Sequence, residues 1–236
     1  MEIPIERGSI NVQGDHASLP SRFRDRAHAG RCLGSLLADY ADRDDVIVLA
    51  LPRGGVPVGI EIARALRAAL EVIVVRKLGV PGHEELAFGA LASGGARVLN
   101  QQVVSQLGLT DEMIDAVSER ESAELARREH LYRGERPSPG LTGKTVILVD
   151  DGLATGASMR AAVAAVKAQH PAQVIVTVPT ASIEACERLR AEVDKLVSPL
   201  TPDRFYAVSL WYDCFDQVSD EEVRALLKSV EEIGHG

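Results

Sequence analysis

The densest chemistry in this sequence lies in the thirteen residues Val146 to Ser158, VILVDDGLATGAS. An apolar run leads into two adjacent carboxylates, Asp150 and Asp151, then a short loop with Gly152, Thr155 and Gly156, and then residues suited to a helix start. Strand ends in open α/β sheets are where ligands bind, and the first turn of a helix presents unpaired backbone N–H groups to anions. Small residues let a phosphate approach that backbone, while the hydroxyls of Thr155 and Ser158 add donors. Twin carboxylates beside such a seat accept hydrogen bonds from sugar hydroxyls or orient water on a magnesium ion. The arrangement suits a sugar phosphate. A polar turn capping a helix would explain a bare Asp-Asp-Gly, but not the whole run.

Two further segments carry complementary chemistry. Pro52-Arg53-Gly54-Gly55 ends another apolar run; the glycines permit close backbone approach and Arg53 offers a fork of donors for phosphate oxygens. Arg76-Lys77 places two cations at the end of a third run. His83, Glu84 and Glu85 follow in a Gly- and Pro-containing stretch and are candidates for proton transfer near a nucleophile, or solvated loop charges.

The elements that must position these groups read as alternating strands and helices. Apolar spacing predicts a helix over Ser21–Tyr40, preceded by a loose arm over residues 1–20. Continuous apolar runs predict strands buried on both faces at Val46–Leu51, Glu71–Val75, Thr145–Val149, Ala172–Val178 and Glu192–Val197. Helices are expected at Val56–Leu70, Thr110–Arg133 (Thr110 as N-cap), Ala157–Gln169, Ser182–Arg190 and from Ser219 onward. The stretch from Arg76 to Gly95 reads as a long mobile loop followed by a short strand at Leu86–Leu91, which makes a hairpin with Ala96–Leu99 across Ser93-Gly94-Gly95. This alternation predicts an α/β fold with a mostly parallel central sheet flanked by helices, in a single domain over residues 21–236. Its core spans about 46–197, and the segment 198–236 serves as hood or packing helix. The tail aromatics Phe205, Tyr206, Trp211, Tyr212 and Phe215 suit either use.

Bulk properties narrow the function. With 46% hydrophobic residues a sizeable core can be buried. A net charge of −8 argues against a general nucleic-acid surface. No apolar run reaches the ~20 residues a membrane helix needs. Cys32, Cys186 and Cys214 have no paired spacing, which fits a reducing, cytoplasmic setting without a zinc site or disulfide framework.

The run Val146–Ser158 resembles the binding motif for phosphoribosyl pyrophosphate (PRPP) of type I phosphoribosyltransferases. The resemblance implies that Asp150 and Asp151 contact the ribose hydroxyls and that Ala154, Thr155, Gly156, Ala157 and Ser158 hold the 5′-phosphate. After the first strand that family has a pyrophosphate-binding loop, often with a cis peptide; Arg53, Gly54 and Gly55 sit in that place. Lys77 matches a basic residue near the pyrophosphate, and Leu78–Phe88 matches the flexible loop that closes over substrate. RKLGVPGHEELAFG is similar to that loop in adenine phosphoribosyltransferases. The 6-oxopurine enzymes carry an extra acid where this chain has Ala154, which weakens hypoxanthine or guanine as acceptor. The whole pattern also looks like a group of bacterial phosphoribosyltransferases of unsettled substrate. The resemblance implies a transferase moving ribose 5-phosphate from PRPP to a small nitrogenous acceptor, with Asp150, Asp151, Lys77 and Glu85 as catalytic residues. Mg²⁺ would be held mainly through PRPP and water, with Asp150 and Asp151 as the protein groups nearest it; dimers are common in that family, so a homodimer is the implied assembly. A non-catalytic module of the same fold, sensing PRPP or a nucleotide, is the competing reading. A response-regulator receiver lacks the Thr-Gly loop, and no Ser sits in a nucleophile elbow to support a hydrolase.

Overall fold

The apolar runs Val46–Ala50 (β1) and Thr145–Val149 (β6) are buried at every position and lie side by side in parallel, Ala50 opposite Val149. A strand enclosed on both faces needs apolar side chains throughout, which is what these sequences supply. In the computed structural model, which describes residues 20–136 and 138–233, they form the middle of a five-stranded parallel sheet. Its order is β2-β1-β6-β7-β8, with β2 at Ala69–Val72, β7 at Gln173–Thr177 and β8 at Lys195–Val197. The expected arm falls almost wholly outside the described residues.

Helices cover both faces. Against one, α5 (Ala157–Lys167) and α6 (Ile183–Arg190) bring Met159, Ala162, Val163, Val166 and Leu189 onto Leu49, Val146, Leu148 and Val176. Against the other, α1 (Arg26–Leu36) and α2 (Gly55–Leu66) bring Leu33, Val58, Ile62 and Leu66 onto Val46, Val48, Ile147 and Ile175. The α1–α2 approach is close enough that a Cβ on Gly30 would lie 2.5 Å from the Val58 carbonyl oxygen.

A second sheet, antiparallel and three-stranded, consists of β3 (Val75–Val80), β4 (His83–Ala92) and β5 (Ala96–Leu99). After it come α3 (Gln101–Leu107) and the 23-residue α4 (Asp111–Arg133), whose N-cap Thr110 accepts from the Met113 N–H. Here Leu78, Phe88 and Leu91 pack with Ile114, Val117 and Leu125 of α4 and with Val223 and Leu227 of α7 (Asp220–Ile233).

Several boundaries differ from the sequence reading. The first helix begins at Arg26 rather than Ser21, because Phe23 is drawn into an extended bridge with Tyr212. The next helix stops at Leu66: Arg67 turns left-handed and β2 starts two residues later. The apolar run Glu71–Val75 is divided between two sheets, so Arg76 and Lys77 lie inside β3 rather than beyond a strand end. Leu78–Phe88, read as a flexible loop, is the β3–β4 hairpin with Gly82 (φ +79°) in its turn; the bulge beside Gly79 breaks the alternation that would have marked it as strand. The hairpin across Ser93-Gly94-Gly95 forms as expected, with both glycines at positive φ. Helix α3 had no expectation.

Candidate functional site

From β1 the chain crosses to β2 on one side of the parallel sheet; from β6 it crosses to β7 on the other. The two connections leave in opposite directions, so a crevice opens outside the C-terminal ends of β1 and β6, the switch point where open α/β sheets bind ligands. The two sequence motifs flank this crevice. Residues 52–55 follow β1 and open α2, while residues 150–158 follow β6 and open α5.

Both loops are small because they touch. A Cβ on Gly54 would lie 1.9 Å from Asp151 Oδ2, and one on Gly55 would lie 2.6 Å from the Val149 carbonyl oxygen. The Pro52–Arg53 peptide bond is cis. Neither α2 nor α5 has a side-chain cap, their N-caps being Gly54 and Gly156 (φ +72°). By contrast α1, α3, α4 and α6 are capped by Asp25, Asn100, Thr110 and Ser182. In α2 the Gly55 and Val56 N–H groups are taken by the Leu51 and Arg53 carbonyls, at 3.0 and 3.2 Å, whereas at α5 only a long 3.4 Å bond from the Ala157 N–H to the Thr155 hydroxyl competes with an anion, which the positive end of the helix dipole favours.

The loop 153–158 is held from behind. Leu153 N–H donates to the Thr180 carbonyl (2.9 Å), and the Ser182 hydroxyl donates to the Ala154 carbonyl (2.7 Å). Ala154, Thr155, Ala157 and Ser158 are exposed on its front and Gly156 is buried.

The two acids are bound unequally. Asp150 Oδ1 accepts from the Asp151 backbone N–H at 2.8 Å. Asp151 Oδ2 accepts from Nε of Arg26 at 2.8 Å, and Arg26 Nη2 forms an ion pair with the same oxygen at 2.8 Å. Asp150 Oδ2 and Asp151 Oδ1 have no hydrogen-bond partner among the described residues. Burial, and then the neighbouring Asp151 carboxylate, pushes the Asp150 carboxyl well above the usual range. Burial raises Asp151 as well, against the opposing pull of Arg26. The Tyr212 hydroxyl donates to the Asp151 carbonyl at 2.6 Å, and burial raises its pKa.

A cavity of about 320 Å³ opens here, lined by Arg26, Arg53, Gly54, Asp151, Phe215 and Gln217 among others. A larger cleft of about 540 Å³ between the C-terminal end of α4 and α7 contains none of the motif residues. The first cavity is the better candidate, because it joins Asp151, two arginines and the glycine loop.

The structure thus brings Asp150, Asp151, Arg53, Gly54 and Gly55 together, with Ala154–Ser158 on the adjoining loop. Arg53 Nη1 lies 4.0 Å from Asp220 Oδ1 at the start of α7. Lys77 is elsewhere, exposed on β3 in the second sheet, which packs against α5. Its neighbour Arg76 is committed to Glu121 of α4, with Nε 2.9 Å from Oε2. His83 and Glu84 are exposed near the hairpin tip; the Glu85 side chain lies outside the described residues. Sequence reasoning missed Arg26, Ser182 and Asp220 as site residues, and named Tyr212 only among the tail aromatics. Arg26 stands in an arginine-rich stretch, RFRDRAHAG, where nothing in the spacing distinguishes it.

Comparison with known proteins bears on the family of the chain. A family model described as the phosphoribosyl transferase domain matches residues 82–208. A Mycobacterium tuberculosis protein carried under the provisional name phosphoribosyl transferase, found in two strains, is 44% identical over 205 residues. The match takes in 87% of this chain and 46% of that protein, so the chain spans about half the length of the curated relatives it matches. The crystal structure of TT1426 from Thermus thermophilus superimposes with a TM-score of 0.80 at 43% identity, covering 88% of this chain and 98% of that one.

Proposed function

Because this chain belongs to the phosphoribosyl transferase domain family, we propose that it transfers ribose 5-phosphate from PRPP to a small nitrogenous acceptor and releases pyrophosphate. The observation that carries this reading is the pair of open carboxylate oxygens, Asp150 Oδ2 and Asp151 Oδ1, beside the uncapped N-terminus of α5. Two acceptors next to an anion seat suit the vicinal hydroxyls and 5′-phosphate of one ribose phosphate.

In this reading Ala154, Thr155, Gly156, Ala157 and Ser158 hold the 5′-phosphate, through backbone N–H groups and the Thr155 and Ser158 hydroxyls. Asp150 and Asp151 accept from the ribose hydroxyls and offset the positive charge that develops as the bond from C1 to pyrophosphate breaks. Arg53 and the Gly54 amide hold the leaving pyrophosphate, while Gly55, whose own N–H is taken by the Leu51 carbonyl, keeps the loop backbone close. Lys77 joins them when the β3–β4 hairpin closes over the site and excludes water. The new bond forms between C1 and the acceptor nitrogen, whose proton passes to Glu85 or to solvent.

The open oxygens also fit Mg²⁺, which favours carboxylate oxygens combined with water and substrate phosphates over an all-protein cage. Among the described residues no cluster of three or more His, Cys, Asp or Glu is placed to hold a metal unaided. When bound, the ion would neutralise charge on the departing pyrophosphate.

The test is PRPP binding by calorimetry with Mg²⁺, set beside pyrophosphate release with a panel of nitrogenous acceptors. Asp150→Asn with Asp151→Asn should weaken PRPP at least about 100-fold, about 2.7 kcal/mol, the order expected when charge-assisted hydrogen bonds are lost. Unchanged affinity would refute the assignment. Tight binding with no pyrophosphate released for any acceptor would assign the chain to sensing PRPP instead.

A further inference from the structure

Arg26 makes more contacts than a surface cation needs. Its side chain is 11% exposed; its Nε donates to Asp151 Oδ2 and its Nη2 lies 2.8 Å from the same oxygen. Its Nη1 donates to the Asp216 carbonyl at 2.7 Å, and its guanidinium lies 3.8 Å over the Phe215 ring. Phe215 packs in turn on Tyr212, with ring centroids 4.9 Å apart, and Tyr212 bonds the Asp151 backbone. Asp151 is thus held at side chain and main chain by two segments distant in sequence. The family match spans residues 82–208, so Arg26, Tyr212, Phe215 and Asp216 all lie outside it.

We propose that Arg26 is a positioning residue for the acidic pair: by fixing Asp151 Oδ2 it leaves Asp151 Oδ1, with Asp150 Oδ2, for the ribose hydroxyls. This rests on the transferase reading above. Two reasons make a guanidinium suitable. A planar fork fixes the rotamer of a carboxylate where a flexible ammonium would not. Its charge also offsets one of two adjacent carboxylates that would otherwise repel a polyphosphate ligand. The other groups about Asp151 are Asp150, the Tyr212 hydroxyl at its carbonyl and Arg53 across the cavity; of these only Arg53 carries positive charge, and it also faces Asp220.

The experiment uses the full chain and calorimetric affinity for PRPP with Mg²⁺, and for ribose 5-phosphate beside 2-deoxyribose 5-phosphate. Arg26→Gln should weaken PRPP at least tenfold. It should also shrink the preference for ribose 5-phosphate over its 2-deoxy analogue, because a carboxylate no longer held fixed meets the vicinal hydroxyls poorly. Arg26→Lys, the milder change for folding, should recover only part of both, since an ammonium does not fix the carboxylate rotamer. Arg22→Gln is the control for mere docking. Arg22 joins the same two segments, donating to the Tyr212 carbonyl at 2.9 Å, but touches neither acid; its preference between the two sugar phosphates should match the unmodified protein. An unmodified protein that does not distinguish the two, an Arg26→Gln preference equal to the unmodified one, or an Arg22→Gln loss equal to that of Arg26→Gln, would overturn the proposal. Failure of the unmodified protein to bind PRPP would instead overturn the transferase reading, and this inference with it.

Discussion

The crevice between β1 and β6 and the β3–β4–β5 sheet both hold charged residues that motif reading singled out, yet they use them differently. At the crevice the site is left with spare capacity: the start of α5 without a side-chain cap and two carboxylate oxygens without partners among the described residues. In the antiparallel sheet the most enclosed cation is spent on structure, Arg76 being paired with Glu121 of α4. The difference shows that a charged residue points to ligand binding when the surrounding fold declines to satisfy it. Charge at a strand end is not sufficient.

The largest test of the contrast is steric. Gly55→Val places a branched side chain against the Val149 carbonyl and Asp150 Cα, so a loss of about 3 kcal/mol in chemical denaturation is expected. The same change at Gly82, in open space at the hairpin turn, meets no atom within 4 Å and carries chiefly the left-handed strain of about 1–2 kcal/mol. Equal losses would mean that the crevice is no more tightly built than the hairpin. Next, Glu121→Ala should cost about 1–2 kcal/mol, since it strands a partly shielded Arg76. A negligible change in midpoint would put Arg76 back among the ligand-binding candidates.

The smallest expected effect has the opposite sign. Asp150→Asn should raise stability by roughly 0.5–2 kcal/mol at pH 7, as happens when a functional site is relieved of unfavourable charge. The folded Asp150 holds its proton more tightly than the unfolded chain does. Its favourable contribution is therefore complete below the unfolded pKa and disappears as pH rises through the folded one. Thermal melts should show the gain from Asp150→Asn at neutral pH shrinking toward pH 4. A gain that grows on acidification would mean that Asp150 is stabilised as the anion.

The same two regions explain what the sequence made legible. β1, β6 and β7 announce themselves because strands enclosed on both faces must be continuously apolar, and the loops after β1 and β6 because small residues and acids rarely follow such strands by chance. The hairpin was unreadable because Gly79, Pro81 and Gly82 resemble a loop, while its strand character comes from packing against α4. Arg26 was invisible for another reason: its partner is 125 positions away, and nothing local records a contact of that range.

The sheet order carries a consequence for how the molecule assembles. The central pair joins Val46 to Thr145, about a hundred positions apart. Loop-closure entropy on that scale makes such pairing slow and late relative to local helices. The glycine loop and the acidic loop are strangers until that seam closes, so competence to bind should emerge in step with completion of the whole sheet during refolding, and no early intermediate should possess it.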